Sequence, residues 1–232
     1  MTNPLENFYR SKEIYIKLPS QGRWYKQKPT LVNGELGIYP MTSKDEMLLQ
    51  IPDSLYNGES LFELIKSVAP DIPDPYDVTN ADMEVIMLAT RAATYNNKYT
   101  AVATCPKCQN EGMYEIDLLN VLASVDNMDS NIELDIDNLK FMLKPPTLKV
   151  VNATSLAMLE NQRMVQMLSK QQDEKSIDQK VFQESLAKAT GANLAVLADS
   201  IEYIVTPDGT QVSDYNHILE FLSNTNSGMI KK

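Results

Sequence analysis

Cys105 and Cys108 are the residues whose types and spacing offer the clearest chemistry. They stand in the run Thr-Cys-Pro-Lys-Cys. Thiolates separated by two residues can both reach one tetrahedral zinc ion, while the amides of the turn between them steady the sulfur charge. The chain holds 2 cysteines in all and a single histidine, His217. A complete site within one chain would need His217 with an acid or water, and the alternatives are ligands from a dimer or a partner.

A simpler interpretation of the same motif is a turn that resembles a zinc ribbon and binds no metal. The predicted cofactor is therefore either none or zinc at Cys105 and Cys108. A thioredoxin-like redox role is disfavoured, because that motif belongs at a strand-to-helix junction where the helix end lowers the thiol pKa. Here the residues on both sides of the motif alternate in polarity, which predicts flanking strands.

The sequence also lacks the common catalytic and nucleotide-binding motifs. It contains no Gly-x-Ser-x-Gly elbow, no Walker-type loop and no Gly-x-Gly-x-x-Gly run. His217 is the only histidine that could serve as a base, and we expect it to be an ordinary packed or surface residue. We therefore predict that the protein is not an enzyme.

The charge balance excludes another class of ligand. Lys and Arg number 21 against 31 Asp and Glu, a formal net charge of -10, whereas a nucleic-acid-binding domain needs a basic face. No stretch approaches the roughly 18 continuous apolar residues of a membrane span. The first ten residues lack the basic start and apolar core of an export signal. We expect no nucleic-acid or membrane partner, and a protein that is cytosolic or assembled from the cytosol.

A mixed α+β domain over residues 1–150 is predicted to position the cysteines. Polarity alternates at residues 13–18 and 35–39, which predicts a small antiparallel sheet. Alternation returns around the Cys-x-x-Cys motif and predicts a β-hairpin with both thiols at its tip. Helical spacing of apolar residues predicts helices at 43–49, 59–68 and 80–95, the first of them started by a capping box of Ser43 and Glu46.

The chain beyond residue 150 is predicted to be mainly helical. Two alternating strands between residues 132 and 143 end at Pro145 and Pro146, which places a domain boundary near residue 150. Gly191 is expected to stop one of the helices that follow. Helical spacing predicts these helices at 153–172, 177–190, 192–205 and 215–223. The predicted fold is thus an α+β domain with a Cys-x-x-Cys hairpin, followed by a helical region at 151–232.

Four short motifs between residues 14 and 150 stand in a fixed order and spacing. They are Leu18-Pro19-Ser20-x-Gly22 with Tyr25, Tyr39-Pro40-Met41-Thr42 leading into Asp45-Glu46, Asp82 followed by Thr90-Arg91 and Tyr95, and Cys105-Pro106-x-Cys108. Together they resemble the baseplate hub proteins of T4-like contractile-tailed bacteriophages. The chain departs from the family pattern at Tyr95-Asn96, where Tyr-Gly is usual, and in having no second cysteine pair.

The resemblance implies a non-enzymatic hub subunit or hub assembly factor that acts through protein contacts during tail morphogenesis. The implied partners are other phage baseplate hub or tape-measure proteins, and a homo-oligomer is a further option. The implied location is the infected host cytoplasm during assembly, or the virion baseplate. The alternative function is a metal-binding adaptor whose Cys-x-x-Cys hairpin completes a zinc site in a complex.

Four residues are predicted as partner contacts. Trp24 and Tyr25 follow a turn, and amphipathic aromatics are enriched at interface hot spots. Met164 and Met167 lie on the apolar stripe of a predicted helix, where adaptable thioethers suit a docking surface. For each pair the alternative is burial in the protein's own core.

Overall fold

The computed structural model divides the chain into two compact units, Met1–Met128 and Asp129–Lys232. It describes residues 3–51, 58–128, 132–170 and 179–225. Helices occur together with small antiparallel sheets, so the predicted α+β class is confirmed. None of the helices in these ranges is long and apolar enough to cross a membrane.

The N-terminal unit is built from a two-stranded sheet, helices and a longer strand pair. Its strands are β1 (Ile14–Ile16), β2 (Leu36–Ile38), β3 (Lys98–Thr104) and β4 (Glu111–Asp117). Its helices are α1 (Ser43–Leu49), α2 (Glu59–Val68), α3 (Asn80–Thr94) and α4 (Leu118–Ala123), with 3-10 turns at Pro4–Phe8 and Pro75–Asp77. The strands pair antiparallel, β1 with β2 and β3 with β4.

The core of this unit forms where the small sheet meets the apolar faces of α2 and α3. Its fully buried side chains come from β2, α2 and α3, and they include Leu36, Ile38, Leu64, Ile65 and Ile86. These are positions that the period-two and helical patterns assign to the buried face. α3 begins at the N-cap Thr79, whose hydroxyl accepts the N–H of Asp82 at 3.2 Å.

The capping box of α1 forms one residue earlier than predicted. Thr42, rather than Ser43, is the N-cap, and its hydroxyl accepts the N–H of Asp45 at 3.2 Å. The Asp45 carboxylate in turn accepts the N–H of Thr42 at 2.7 Å. Asp45 is buried while Ser43 is exposed. The reciprocal pair is therefore made by the residues that face the interior.

The C-terminal unit contains a four-stranded antiparallel sheet that the sequence analysis missed in part. Its strand order is β5 (Ile132–Ile136), β6 (Leu139–Leu143), β7 (Ile201–Val205) and β8 (Gln211–Val212). Its helices are α5 (Leu148–Lys170), α6 (Gln179–Asp199) and α7 (Tyr215–Asn224). The prediction of a last helix at 215–223 is confirmed. The C-terminal region is thus mixed rather than mainly helical.

The predicted helix at 192–205 is wrong in its second half, and Gly191 does not end a helix. α6 runs through Gly191 to Asp199, and residues 201–205 form β7. Ile204 of β7 is paired with Phe141 of β6, and both side chains are buried in one core cluster. Residues 201–205 form a strand rather than a helix because the strand buries these side chains and supplies β6 with a hydrogen-bonded neighbour.

The same pairing explains where the chain divides. The sequence analysis placed the boundary near residue 150, whereas the structure divides the chain between Met128 and Asp129. β6 pairs with β7 along residues 140–143, so the strands at 132–143 belong with the C-terminal unit. A strand pairing between segments sixty residues apart leaves no mark in local polarity, and the prolines after β6 mark only the end of the strand.

Candidate functional site

The first family-like motif is fixed by a buried carboxylate at the start of α3. Asp82 is fully buried and accepts hydrogen bonds from the backbone N–H of Ser20 at 2.9 Å and from the Tyr25 hydroxyl at 2.9 Å. The Ser20 hydroxyl also donates to Asp82 and accepts the N–H of Gly22 at 3.0 Å. A buried carboxylate costs free energy unless it is hydrogen-bonded. These bonds hold the loop at 18–25 against α3.

Tyr25 therefore packs inside the N-terminal unit. It is 5% exposed. Burial raises the pKa of its hydroxyl, and the neighbouring Asp82 charge raises this pKa further. This geometry places Tyr25 in the core, the alternative to a partner contact, because its ring is packed and its hydroxyl donates to Asp82. Trp24 is half-buried, with the Arg23 guanidinium 5.5 Å from its ring centroid.

A second network joins the Tyr39–Thr42 motif to the N-terminal segment and α2. The Arg10 guanidinium donates to the backbone oxygens of Pro40 at 2.6 Å and Ser67 at 2.9 Å, and lies 3.4 Å from Asp45. The Ser67 hydroxyl accepts from Arg10 at 2.8 Å and donates to Asp45 at 2.9 Å. Burial would raise the pKa of Asp45. The hydrogen bonds from Thr42 and Ser67 and the Arg10 charge outweigh burial and leave this pKa below its ordinary value.

An open groove of about 810 Å³ lies over this second network. We name it the Arg10 groove. It is lined by Tyr9, Arg10, Tyr39, Met41, Thr42, Ser43, Lys66, Ser67 and Pro70. Tyr, Met and Arg are the side chains enriched in protein interfaces. Tyr9 is 62% exposed, and the Arg10 guanidinium lies 5.5 Å from the Tyr39 ring centroid. The groove is thus a polar and aromatic surface suited to a protein segment.

The third motif links α3 to α1 and to the start of β3. The Tyr95 hydroxyl donates to Glu46 at 2.9 Å, a bond that raises the pKa of Tyr95. The Arg91 guanidinium lies 5.0 Å from the Tyr95 ring centroid and 5.4 Å from that of Tyr99. Cations over aromatic faces are attracted by the ring quadrupole. These contacts position the base of the β3–β4 pair.

The connection between β3 and β4 carries both cysteines. The Cys105 N–H donates to the Asn110 oxygen at 3.0 Å, and the Gln109 N–H donates to the Cys105 oxygen at 2.8 Å. Cys105 is half-buried and Cys108 is exposed, and neither is in a disulfide. The backbone N–H groups of Cys108 and then Lys107 donate to the Cys105 sulfur and hold the pKa of this thiol below its ordinary value.

These cysteines do not acquire further metal ligands within the described part of one chain. Across residues 3–51, 58–128, 132–170 and 179–225, no group of three or more His, Cys, Asp or Glu side chains could hold a metal ion. His217 lies in the first turn of α7, where its N–H donates to Asp214 at 3.0 Å. A set completed by His217 and an acid is therefore not found.

The C-terminal unit has an apolar cavity of about 240 Å³. It is lined by Leu134, Ile136, Phe141, Leu143, Leu197, Ser200, Ile201, Phe221, Leu222 and Thr225. This lining contains no carboxylate, thiol or imidazole, so the cavity offers packing rather than chemistry. Met164 and Met167 fall within α5, but their side chains lie outside the described part of the structure, and their role as partner contacts stays a prediction.

Sequence reasoning missed the residues that build the Arg10 groove. Arg10 precedes β1 in a segment without periodic pattern, and Ser67 lies in α2, 57 residues away. Neither residue type nor spacing signals their meeting. The partial signal was the Tyr39–Thr42 motif, which does line the groove.

Comparison with known proteins adds an independent finding. A family model described as T4 bacteriophage base plate protein matches residues 12–232. The searches of curated proteins and of solved structures gave no match. The family match spans both units, whereas the four motifs lie within residues 14–150.

Proposed function

The chain belongs to the T4 bacteriophage base plate protein family, and we propose that it is a non-enzymatic hub subunit or hub assembly factor. The family indicates a structural role in a phage baseplate. The family match over residues 12–232 carries the baseplate role, and the hub assignment rests on the resemblance of the four motifs between residues 14 and 150. In this proposal the protein acts through contacts with other hub or tape-measure proteins during tail assembly.

The Arg10 groove supports a protein-binding role. Four of its nine lining residues, Tyr9, Tyr39, Met41 and Arg10, are of the types enriched at interfaces. The two cations of the groove are already paired, Arg10 with Asp45 at 3.4 Å and Lys66 with Glu63 at 2.5 Å. We infer that the groove receives a partner segment that carries apolar side chains together with hydrogen-bonding groups.

Two further surfaces belong to the proposal. Trp24 is half-buried beside Arg23 and keeps part of its ring accessible, so it stays a predicted contact. Met164 and Met167 stay a predicted contact on α5. Replacing both methionines by Asp is expected to abolish partner capture while the N-terminal unit stays folded. Unchanged capture would remove α5 from the proposal.

A pull-down of tagged protein from phage-infected cells tests the proposal, with mature particles analysed in parallel by mass spectrometry. Recovery of hub or tape-measure proteins together with presence in particles identifies a structural subunit of the virion baseplate. The same partners with absence from particles identify an assembly factor that acts in the host cytoplasm. Recovery of no tail protein, against an untagged infected culture as control, contradicts the proposal.

A further inference from the structure

The turn between β3 and β4 carries both thiols of the chain, two residues apart. Residues 105–110 are closed by two backbone hydrogen bonds, from Cys105 to Asn110 at 3.0 Å and from Gln109 to Cys105 at 2.8 Å. Gln109 has a φ of 60°, in the left-handed region where glycine is the usual residue. A glutamine at this φ is locally unfavourable, and the two backbone hydrogen bonds stabilise the turn in this conformation.

The same turn orients one of the two sulfur atoms. Zinc binds cysteine as the thiolate. The backbone N–H groups of Cys108 and Lys107 donate to the Cys105 sulfur. Such N–H bonds orient a ligand, as outer partners do around structural metal sites.

The tip of the hairpin is accessible. Cys108 is exposed, and Cys105 is half-buried. The facing residues Val102 and Met113 near the tip are 62% and 80% exposed. An isolated two-stranded hairpin is only marginally stable in water, so a contact at its tip would stabilise it. An ion or a second chain could reach the thiols without any rearrangement of the N-terminal unit.

A closed structural zinc site needs four ligands, and the described residues of one chain provide two thiols with no third ligand beside them. We propose that Cys105 and Cys108 bind zinc together with the same two cysteines of a second copy of this chain. A second copy supplies the missing pair in the same conformation, and two-fold symmetry is the commonest arrangement of identical chains. The result is a four-thiolate site at the contact of two hairpin tips.

Four thiolates close the coordination of the ion. Zinc with four thiolates carries a net charge of -2, and each copy brings one exposed cation, Lys107, and one exposed carboxylate, Glu111, to the tip. A site with water completing the coordination would instead be open, and an open position is the mark of a catalytic rather than a structural zinc.

The test uses the purified full-length chain in a non-thiol reductant, with cobalt as the spectroscopic probe. We expect one Co²⁺ per two chains, with absorption bands of tetrahedral thiolate coordination and a mass twice that of the 26.1 kDa chain by light scattering. C105S and C108S should each lose both the bands and the doubled mass. The matched control is Q109G, which alters the same turn, accepts a positive φ and should keep both.

Several results would overturn the inference. They are no cobalt uptake by the unaltered chain, one cobalt per monomer, a dimer that forms equally well without metal, or uptake retained by either serine variant. Should a serine variant fail to fold by circular dichroism, alkylation of the unaltered chain decides. We expect Zn²⁺ to slow alkylation of both cysteines at least tenfold, and an unchanged rate would refute the site.

Discussion

The hydroxyl of Tyr25 donates a 2.9 Å hydrogen bond to the carboxylate of Asp82, 57 residues along the chain. Both groups are buried. The loop at 18–25, which precedes β2, is thereby fixed to the first turn of α3. Since an unpaired buried carboxylate is costly, the bond stabilises the N-terminal unit more than a surface hydrogen bond would.

Tyr25→Phe is expected to lower the free energy of unfolding by about 1.5–3 kcal/mol, because Asp82 loses one donor in a dry site. Urea unfolding followed by circular dichroism measures this loss. Tyr15→Phe is the matched control, since Tyr15 is 48% exposed, and it should change stability by less than about 0.5 kcal/mol. Equal stabilities for the two variants would show that the Asp82 bond contributes nothing.

Acid should weaken the N-terminal unit partly through Asp45. Because the folded-state pKa of Asp45 lies below its ordinary value of 3.8, its contribution is complete above that pH and is lost as the pH falls through the folded-state pKa. Asp45→Asn should therefore be less stable than the unaltered protein at pH 6. The difference should shrink on acidification below about pH 4. Unfolding midpoints measured from pH 6 to pH 2.5 test this, and a constant difference would contradict it.

Tyr9→Ala should reduce recovery of baseplate partners while leaving the thermal midpoint unchanged. Tyr9 is 62% exposed at the Arg10 groove, and loss of an interface aromatic costs about 2 kcal/mol or more of binding free energy at a hot spot. The measurement is quantitative mass spectrometry of a pull-down. Tyr15→Ala, on an exposed tyrosine outside the groove, is the control. Equal recovery with both variants would exclude the groove as the binding surface.

Ile204→Ala should destabilise the C-terminal unit by about 2–5 kcal/mol, because it opens a cavity in the core cluster with Phe141 and Ile218. Ile204→Val removes one methylene from the same position and should cost about 0.5–1.5 kcal/mol. Denaturant unfolding of both variants gives the comparison. A loss as small for Ala as for Val would mean that β7 does not pack against this core.

The extent to which the fold could be predicted depends on the range of the interactions. α3 and α7 were predicted because the spacing of their apolar residues is a local pattern that the sequence shows directly. β7 was not, because residues 201–205 read as a continuation of a helical apolar pattern until pairing with β6 is known. For Tyr25 the sequence left a partner contact and core burial both open, because its partner Asp82 is 57 residues away.

The sequence by itself determined the mixed class, the positions of most helices, the two thiols and the family resemblance. These follow from local periodicity, capping chemistry and short motifs. Only the tertiary structure decided that Asp82 and Tyr25 are partners, that Arg10 meets Ser67 to shape a groove, and that β7 completes a sheet. Such contacts join segments tens of residues apart, and their free energy comes from burial and pairing that exist only once the chain has folded.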